Sequence, residues 1–333
     1  MQSNLVYTQF KNLARGDENS NAFNVISLPN SKHKLGVSVE GFPKFFVCTN
    51  DSAATYHNIV LELLSVEYNQ PCTIIEDAAE PQSDTFSIIT LRANEEALQA
   101  YFIDIIIMIL SNLSDEPSRE ELSIEIETLI TIFSALRRKP IKEIQGVWAE
   151  LLVIDHSLHP EILISAWHSQ PNAKFDFTMG RDKIEVKSTS SEGRKHHFTL
   201  DQLNPSINSR LLIASVIVRE SAKCAGALSV KGLYEKICSR VSTVNLQLKL
   251  YSTLATVIGN DYKNWDSVFF DYVEASDTLF FYNVDDVPRI KKSDVPEFVN
   301  EVKFSSDLTH LIDIKDSHSN FDRSDSVLFK SLF

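Results

Sequence analysis

The stretch Phe175-Asp176-Phe177-Thr178-Met179-Gly180-Arg181-Asp182-Lys183-Ile184-Glu185-Val186-Lys187-Ser188 constrains the fold of this chain more than any other. Successive side chains of a strand point to opposite faces, so Ile184 and Val186 share one face and Glu185 and Lys187 the other. Phe175 and Phe177 are likewise expected to bury on the face opposite Asp176. A two-residue loop at Gly180-Arg181 suits a type II′ turn, with glycine at its first central position. In that register Met179 pairs with Asp182, and counting outward sets Asp176 across from Glu185. Directly opposed side chains have Cβ atoms about 5 Å apart, close enough to share one divalent cation. Two carboxylates so placed repel unless a cation lies between them, and Lys187 falls beside the same spot.

The net charge of −13 argues against a nucleic-acid binder until it is divided along the chain. Residues 1–136 carry 7 basic and 19 acidic side chains (net −12), residues 137–250 carry 17 and 11 (net +6), and residues 251–333 carry 8 and 15 (net −7). The middle is a basic module between acidic flanks, and is the part expected to touch a polyanion. Four scattered cysteines with no C-x-x-C pair argue against a zinc ribbon or a disulfide framework, and suit reduced thiols. The first twenty residues hold no apolar core of a signal peptide. The longest apolar run, 101–110, contains Asp104 and is too short to cross a bilayer. A cytoplasmic protein with no membrane partner is expected.

Pattern and punctuation suggest three parts. Residues 1–140 read as an acidic α+β domain. It has strands at 34–40, 43–49, 58–68 and 84–93, a helix from an Asn94 N-cap to about Asn112, and a second from near Pro117 to Arg137-Arg138-Lys139. Residues 141–245 read as a mixed α/β core. A helix at 144–156 precedes strands at 162–167, 174–178 and 183–188, and a polar loop covers 189–196. A turn or short helix near 200–203, an apolar strand at 211–218 and a helix at 230–241 follow. Residues 246–333 read as a C-terminal α/β extension packed on the core. They begin with a helix near 245–257, then strands at 268–273 and 278–284 joined as a hairpin through Ser276-Asp277.

Asp176, eight intervening residues and then Glu185-Val186-Lys187, behind a helix containing Glu150, resemble the PD-(D/E)XK nuclease superfamily. Phe175 stands where the superfamily name has proline. Within it the chain looks most like an uncharacterised branch associated with bacterial restriction–modification and defence loci. The elements of that branch stand here as Gly146-Val147-Trp148-Ala149-Glu150-Leu151, Trp167, Asp176-Phe177, Glu185-Val186-Lys187 and His197-Phe198-Thr199-Leu200-Asp201-Gln202-Leu203, within about residues 141–240. The resemblance implies a restriction-endonuclease-like core, a mixed central sheet flanked by helices, and a Mg²⁺-dependent DNA endonuclease in which Mn²⁺ can substitute. Asp176, Glu185 and the carbonyl of Val186 would hold the metal. Glu150 would complete the site directly or through water. Lys187 would orient or deprotonate the attacking water and offset negative charge, and Gln202 would contact water on the metal or the DNA backbone. Arg194, Lys195, His196 and His197, in the loop after the Glu-Val-Lys strand, would meet the phosphates. Trp148 and Trp167 read as core.

The chain has no G-x-x-x-x-G-K-[ST], G-x-G-x-x-G, H-E-x-x-H or G-x-S-x-G. Asp155, His156, His159 and Glu161 are a local cluster of metal-ligand types, but Pro160 makes them a helix terminus with solvated polar residues. Double-stranded DNA is the expected partner. Cutting both strands needs two active sites, hence a homodimer or a complex with other restriction or defence subunits. A non-catalytic DNA-binding or assembly subunit that keeps the fold is the alternative, and an RNA-directed or structure-specific nuclease is a third.

Overall fold

Two units divide the chain, Met1–Arg137 and Arg138–Phe333. The structure, a computed structural model, describes residues 2–16, 21–29, 31–50, 57–76, 80–168, 173–316 and 325–333. Among the described residues no helix is long and apolar enough to cross a membrane.

In the first unit, helix α1 (Gln2–Lys11) precedes strands β1 (Ala22–Ser27), β2 (Lys34–Val37), β3 (Pro43–Val47), β4 (Ile59–Val60), β5 (Leu64–Glu76) and β6 (Gln82–Leu91). The sheet runs β1-β2-β3-β6-β5-β4, and β1 also pairs with β5 in parallel, so five of the strands close into a ring. A bulge between Glu67 and Gln70, with Asn69 at φ +54°, bends the long β5 so that one strand serves three neighbours. Helix α2 (Glu96–Ser111) follows, its N-cap at Glu95 rather than Asn94. Helix α3 (Arg119–Ala135) starts at a capping box in which Ser118 and Glu121 satisfy each other's backbone N–H groups. Phe102 of α2 packs between Phe45 of β3 and Phe133 of α3, at 5.6 and 5.8 Å between ring centroids. This tie holds the helix pair to the sheet. The sequence pattern missed α1 and β1.

The second unit is built around α4 (Ile144–His156), followed by α5 (Pro160–Ala166), β7 (Phe177–Met179), β8 (Asp182–Thr189), β9 (Lys195–Thr199) and β10 (Arg210–Ile217). Beyond these come β11 (Glu220–Ser221), β12 (Ala227–Ser229), α6 (Val230–Arg240), α7 (Val244–Ile258) and β13 (Phe269–Asp271). The last elements are α8 (Tyr272–Asp277), β14 (Phe280–Asn283), β15 (Lys303–Asp307) and α9 (Val327–Lys330). The main sheet runs β14-β10-β8-β7, with β10 parallel to β8, β14 antiparallel to β10 and β7 antiparallel to β8. Helix α4 packs against β8, α5, α6 and α7, and is buried from Val147 through Asp155 on every side. On the face of β8 that carries Glu185 lies a second core, with Phe198, Leu203, Leu211, Ile213, Tyr282 and Leu308. Residues after 245 belong to this unit and contribute β14 to its main sheet.

Two expectations fail here. Residues 162–166 lie in helix α5 and not in a strand: Pro160 occupies its first turn, where a missing N–H costs nothing, and Leu163 and Ile164 are buried. Trp167 caps the helix in extended backbone and makes an isolated antiparallel bridge to Phe177. Ser276-Asp277 is no hairpin turn. Asp271 caps a short helix by accepting the Glu274 N–H at 2.9 Å, and the strands on either side enter different sheets.

Candidate metal centre

The β7–β8 hairpin has the expected register: Met179 pairs with Asp182, Thr178 with Lys183 and Phe177 with Ile184. Gly180 supplies the left-handed turn residue at φ +56°. The strand then stops. Phe175 and Asp176 lie in a bend before β7, and Phe175 packs with Phe198 and Ile213 in the second core. The alternation expected for Phe175 therefore ends one residue early. A continued ladder would offer the Val186 N–H a main-chain carbonyl; Asp176 Oδ2 accepts it instead, at 2.7 Å.

Three buried carboxylates lie around Asp176: Lys142 bridges it to Glu150, and Glu185 is near enough to feel its charge, but Glu185 is not in the tight group that Glu150 and Asp176 form with His168. Glu150, Asp176 and Glu185 are 1%, 4% and 3% exposed. Glu150 comes from the middle of the apolar helix α4, where only specific partners can keep a charge. Its Oε2 accepts the Trp167 indole N–H at 2.6 Å and lies 2.9 Å from His168 Nε2, while Oε1 accepts from Lys142 Nζ. The same ammonium also donates to Asp176 Oδ1. One ligand atom each from Glu150, His168 and Asp176 lie within 4.8 Å of one another. His168 is placed for this by a left-handed backbone, φ +39°, and by its N–H, which donates to the Asp176 carbonyl at 2.9 Å.

Glu185 faces the same side of β8 as Lys187, whose Nζ lies 2.8 Å from Glu185 Oε1. That oxygen also accepts from Gln202 Nε2. Gln202 is held by its own carbonyl oxygen, which accepts from the Thr199 N–H at 3.0 Å and from Lys187 Nζ at 3.3 Å. Lys187 Nζ lies over the Phe198 ring, 5.1 Å from its centroid. Glu185 Oε2 is buried with no hydrogen-bond partner among the described residues.

Electrostatics follow from that crowding. Burial, and then the Asp176 carboxylate, push Glu185 up to about 8, against the pull of Lys187 and Lys142. Burial and Glu150 raise Asp176. Burial also opposes ionisation of Glu150, but Lys142 and His168 together outweigh it and leave this carboxyl below its ordinary value. Burial alone would lower Lys142; the two acids it bridges reverse that and raise it.

The expected DNA-facing loop is corrected in two of its four residues. Residues 195–199 form strand β9, paired with β15, and its alternation points Arg194 and His196 inward. Arg194 donates to the Ser215 carbonyl at 2.8 Å, Ser215 Oγ at 3.0 Å and the Thr278 carbonyl at 2.6 Å. Its guanidinium lies over Phe280. His196 Nε2 lies 2.8 Å from Ser215 Oγ, and burial followed by repulsion from Lys187 and Arg194 lowers it to about 4. Only Lys195 and His197 of that set are exposed. Asp155 is buried among Lys236, Arg240 and Tyr272, while His159 and Glu161 form an exposed pair, so that terminus gathers no metal ligands. Lys142 and His168 were not singled out in the sequence, and Trp167, read as core, is a hydrogen-bond donor to the site.

A helix carboxylate, a carboxylate beside a short strand and a Glu-x-Lys on its partner strand, set in a mixed α/β fold, are the features of the PD-(D/E)XK class. The family described as "Putative PD-(D/E)XK family member" (DUF4420) matches residues 10–309, and the chain belongs to it. No curated protein and no solved structure matches the chain.

Proposed function

We propose that this chain is a Mg²⁺-dependent endonuclease that hydrolyses phosphodiester bonds of double-stranded DNA within a bacterial restriction–modification or anti-phage defence system. The observation that carries the reading is Glu185 Oε2, a buried carboxylate oxygen without a partner among the described residues, next to the buried Asp176 carboxylate. Native structures rarely leave such an atom unsatisfied, and a cation is the partner its chemistry asks for. The donor set is oxygen-rich, which suits Mg²⁺, with Mn²⁺ as substitute. Asp176, Glu185, the Val186 carbonyl and Glu150 would hold it. When bound, the ion lowers the pKa of water and offsets phosphate charge.

The chain's own groups do the rest. Lys187, fixed by Glu185, Gln202 and the Phe198 face, presents an ammonium that orients the attacking water and neutralises charge developing on the phosphate. Gln202 fixes Glu185 and Lys187 relative to each other. A cleft of ≈ 300 Å³ lined by Lys142, Gln145, Gly146, Lys187 and Ser188 gives the phosphodiester its entry. Exposed Lys195 and His197 are the remaining candidates for backbone contacts. In this reading residues 141–245 form a restriction-endonuclease-like core, residues 246–333 its extension, and the acidic residues 1–140 repel random DNA or dock a partner. Two-strand cleavage calls for a homodimer or a complex with other subunits in the cytoplasm.

The test is cleavage of supercoiled and linear duplex by the full chain with Mg²⁺ or Mn²⁺, in parallel with Asp176→Asn and Lys187→Ala. Cleavage by wild type, lost in both variants, with Mn²⁺ binding lost only in Asp176→Asn, supports the reading. Undiminished cleavage by Lys187→Ala overturns it. The second reading, a non-catalytic DNA-binding or assembly subunit, is favoured by one observation: the Lys142 ammonium already bridges Glu150 and Asp176. That reading requires that no divalent cation binds.

A further inference from the structure

Each of the three carboxylates has one oxygen committed to the protein and one turned elsewhere. Glu150 Oε2 is held by Trp167 and His168, Asp176 Oδ2 by the Val186 N–H, and Glu185 Oε1 by Gln202 and Lys187. The remaining oxygens are Glu150 Oε1, Asp176 Oδ1 and Glu185 Oε2. Lys142 Nζ takes the first two, and the third has no partner among the described residues. One cation of single charge is thus serving the free oxygens of Glu150 and Asp176, two residues that with His168 offer ligand atoms within 4.8 Å of one another.

Lys142 is not built in as its acids are. Its side chain is 28% exposed, against 1% for Glu150 and 5% for Asp176. It stands on the segment before α4, anchored by the Ile141 N–H to the Val257 carbonyl at 2.9 Å. It borders the same cleft as Gln145, Gly146 and Lys187. Gly146 leaves that cleft open, since a Cβ there would meet nothing within 4 Å. The ammonium can therefore leave by rotation of its own side chain, with no change in the main chain. Charge points the same way. In the metal-bound site, with all three carboxylates ionised against the cation, they and Lys187 leave two negative charges, which a divalent cation cancels; with Lys142 still inside, the buried site would carry an excess positive charge, a costly state at low dielectric.

We propose that Lys142 is a resident counter-ion which a divalent cation displaces, so that metal binding turns its ammonium out of the carboxylate cluster and into the cleft beside Lys187. This rests on the metal centre of the nuclease reading. Until displaced, Lys142 keeps Glu150 and Asp176 in position without metal. Once displaced, its charge joins that of Lys187 where a phosphate enters. Ejection and metal binding are linked, so each shifts the other by the same factor.

The experiment is acylation of the full chain by an N-hydroxysuccinimide acetate at fixed pH, read peptide by peptide by mass spectrometry, in EDTA and in saturating Mn²⁺. Calorimetric Mn²⁺ titration of wild type, Lys142→Met and Asp176→Asn accompanies it. We expect Lys142 to label at least about fivefold faster with Mn²⁺ while Lys231 is unchanged, and Lys142→Met to bind Mn²⁺ at least about fivefold more tightly than wild type. If Mn²⁺ binds wild type but not Asp176→Asn, and Lys142 labels at the same rate with and without it, displacement is overturned and the metal centre stands. If Mn²⁺ binds no form of the protein, the metal centre and the displacement fall together. The labelling arm uses wild type only, so a misfolded variant leaves it decisive.

Discussion

Trp167 donates its indole N–H to Glu150 Oε2 at 2.6 Å, across 17 residues and from a fully buried ring. An aromatic side chain that reads as core in the sequence thus supplies a donor to a carboxylate buried on an apolar helix. Trp167→Phe preserves most of the packing and deletes the donor. We expect a loss of about 1–3 kcal/mol in urea unfolding, the cost of a charge-assisted bond removed from a buried acceptor. Loss well under 0.5 kcal/mol would mean that His168 and Lys142 alone satisfy Glu150.

The raised Glu185 makes a signed pH prediction for protein in EDTA. Its folded value of about 8 lies above its ordinary 4.5, so its stabilising contribution is complete below 4.5 and is lost as pH rises through about 8. Glu185→Gln cannot ionise and should be spared that loss. Between pH 5 and pH 9 the stability of the variant relative to wild type should rise by on the order of 2–4 kcal/mol. Parallel stability curves for the two proteins over that range would show that Glu185 does not titrate there.

Burial of Arg194 separates folding from binding at the head of one short strand. Arg194→Met leaves the Ser215 and Thr278 carbonyls without their donor and should cost about 3 kcal/mol or more by urea unfolding. Lys195→Glu with His197→Glu, both exposed, should leave stability within about 0.5 kcal/mol. If these residues meet phosphates, that double variant also flattens the salt dependence of duplex binding, by about 0.9 in log–log slope for each lost lysine contact. An unchanged slope removes β9 from the DNA face.

What the sequence discloses depends on period. Ile144–His156 and Asp182–Thr189 emerged almost whole, because an apolar helix and an alternating strand each repeat a pattern over two or more turns or pleats. The Gly180 turn then fixed the register that brings Asp176 to Glu185. Residues 162–167 offered too short an apolar run to separate helix from strand, although Pro160 marked a helix start. Arg194 and His196 defeated the pattern for another reason: a strand that buries an arginine and a histidine alternates the wrong way round, and reads as loop. Lys142 and His168 have no sequence signature toward Glu150, being eight and 18 residues from it in irregular backbone. Only the tertiary demand of a buried carboxylate for donors explains them.

Gly146 sets stability against access at the mouth of the cleft. It lies in the first turn of α4 with ordinary helical space around it, and a Cβ there would touch nothing within 4 Å. Glycine in a helix costs about 0.5–1 kcal/mol relative to alanine, so Gly146→Ala should stabilise by that amount, a few degrees in thermal unfolding. The residue nonetheless borders the cleft with Lys142, Gln145, Lys187 and Ser188, where a phosphodiester has to approach the carboxylates. Gly146→Leu should keep the helix and fill that space. The expected pair of results is a raised melting temperature for Gly146→Ala, and for Gly146→Leu a Mn²⁺ affinity equal to wild type with cleavage reduced about tenfold or more. Loss of Mn²⁺ binding in Gly146→Leu would place the leucine against the carboxylates themselves. Full cleavage with normal Mn²⁺ binding would show that the substrate reaches the site from another side of β8.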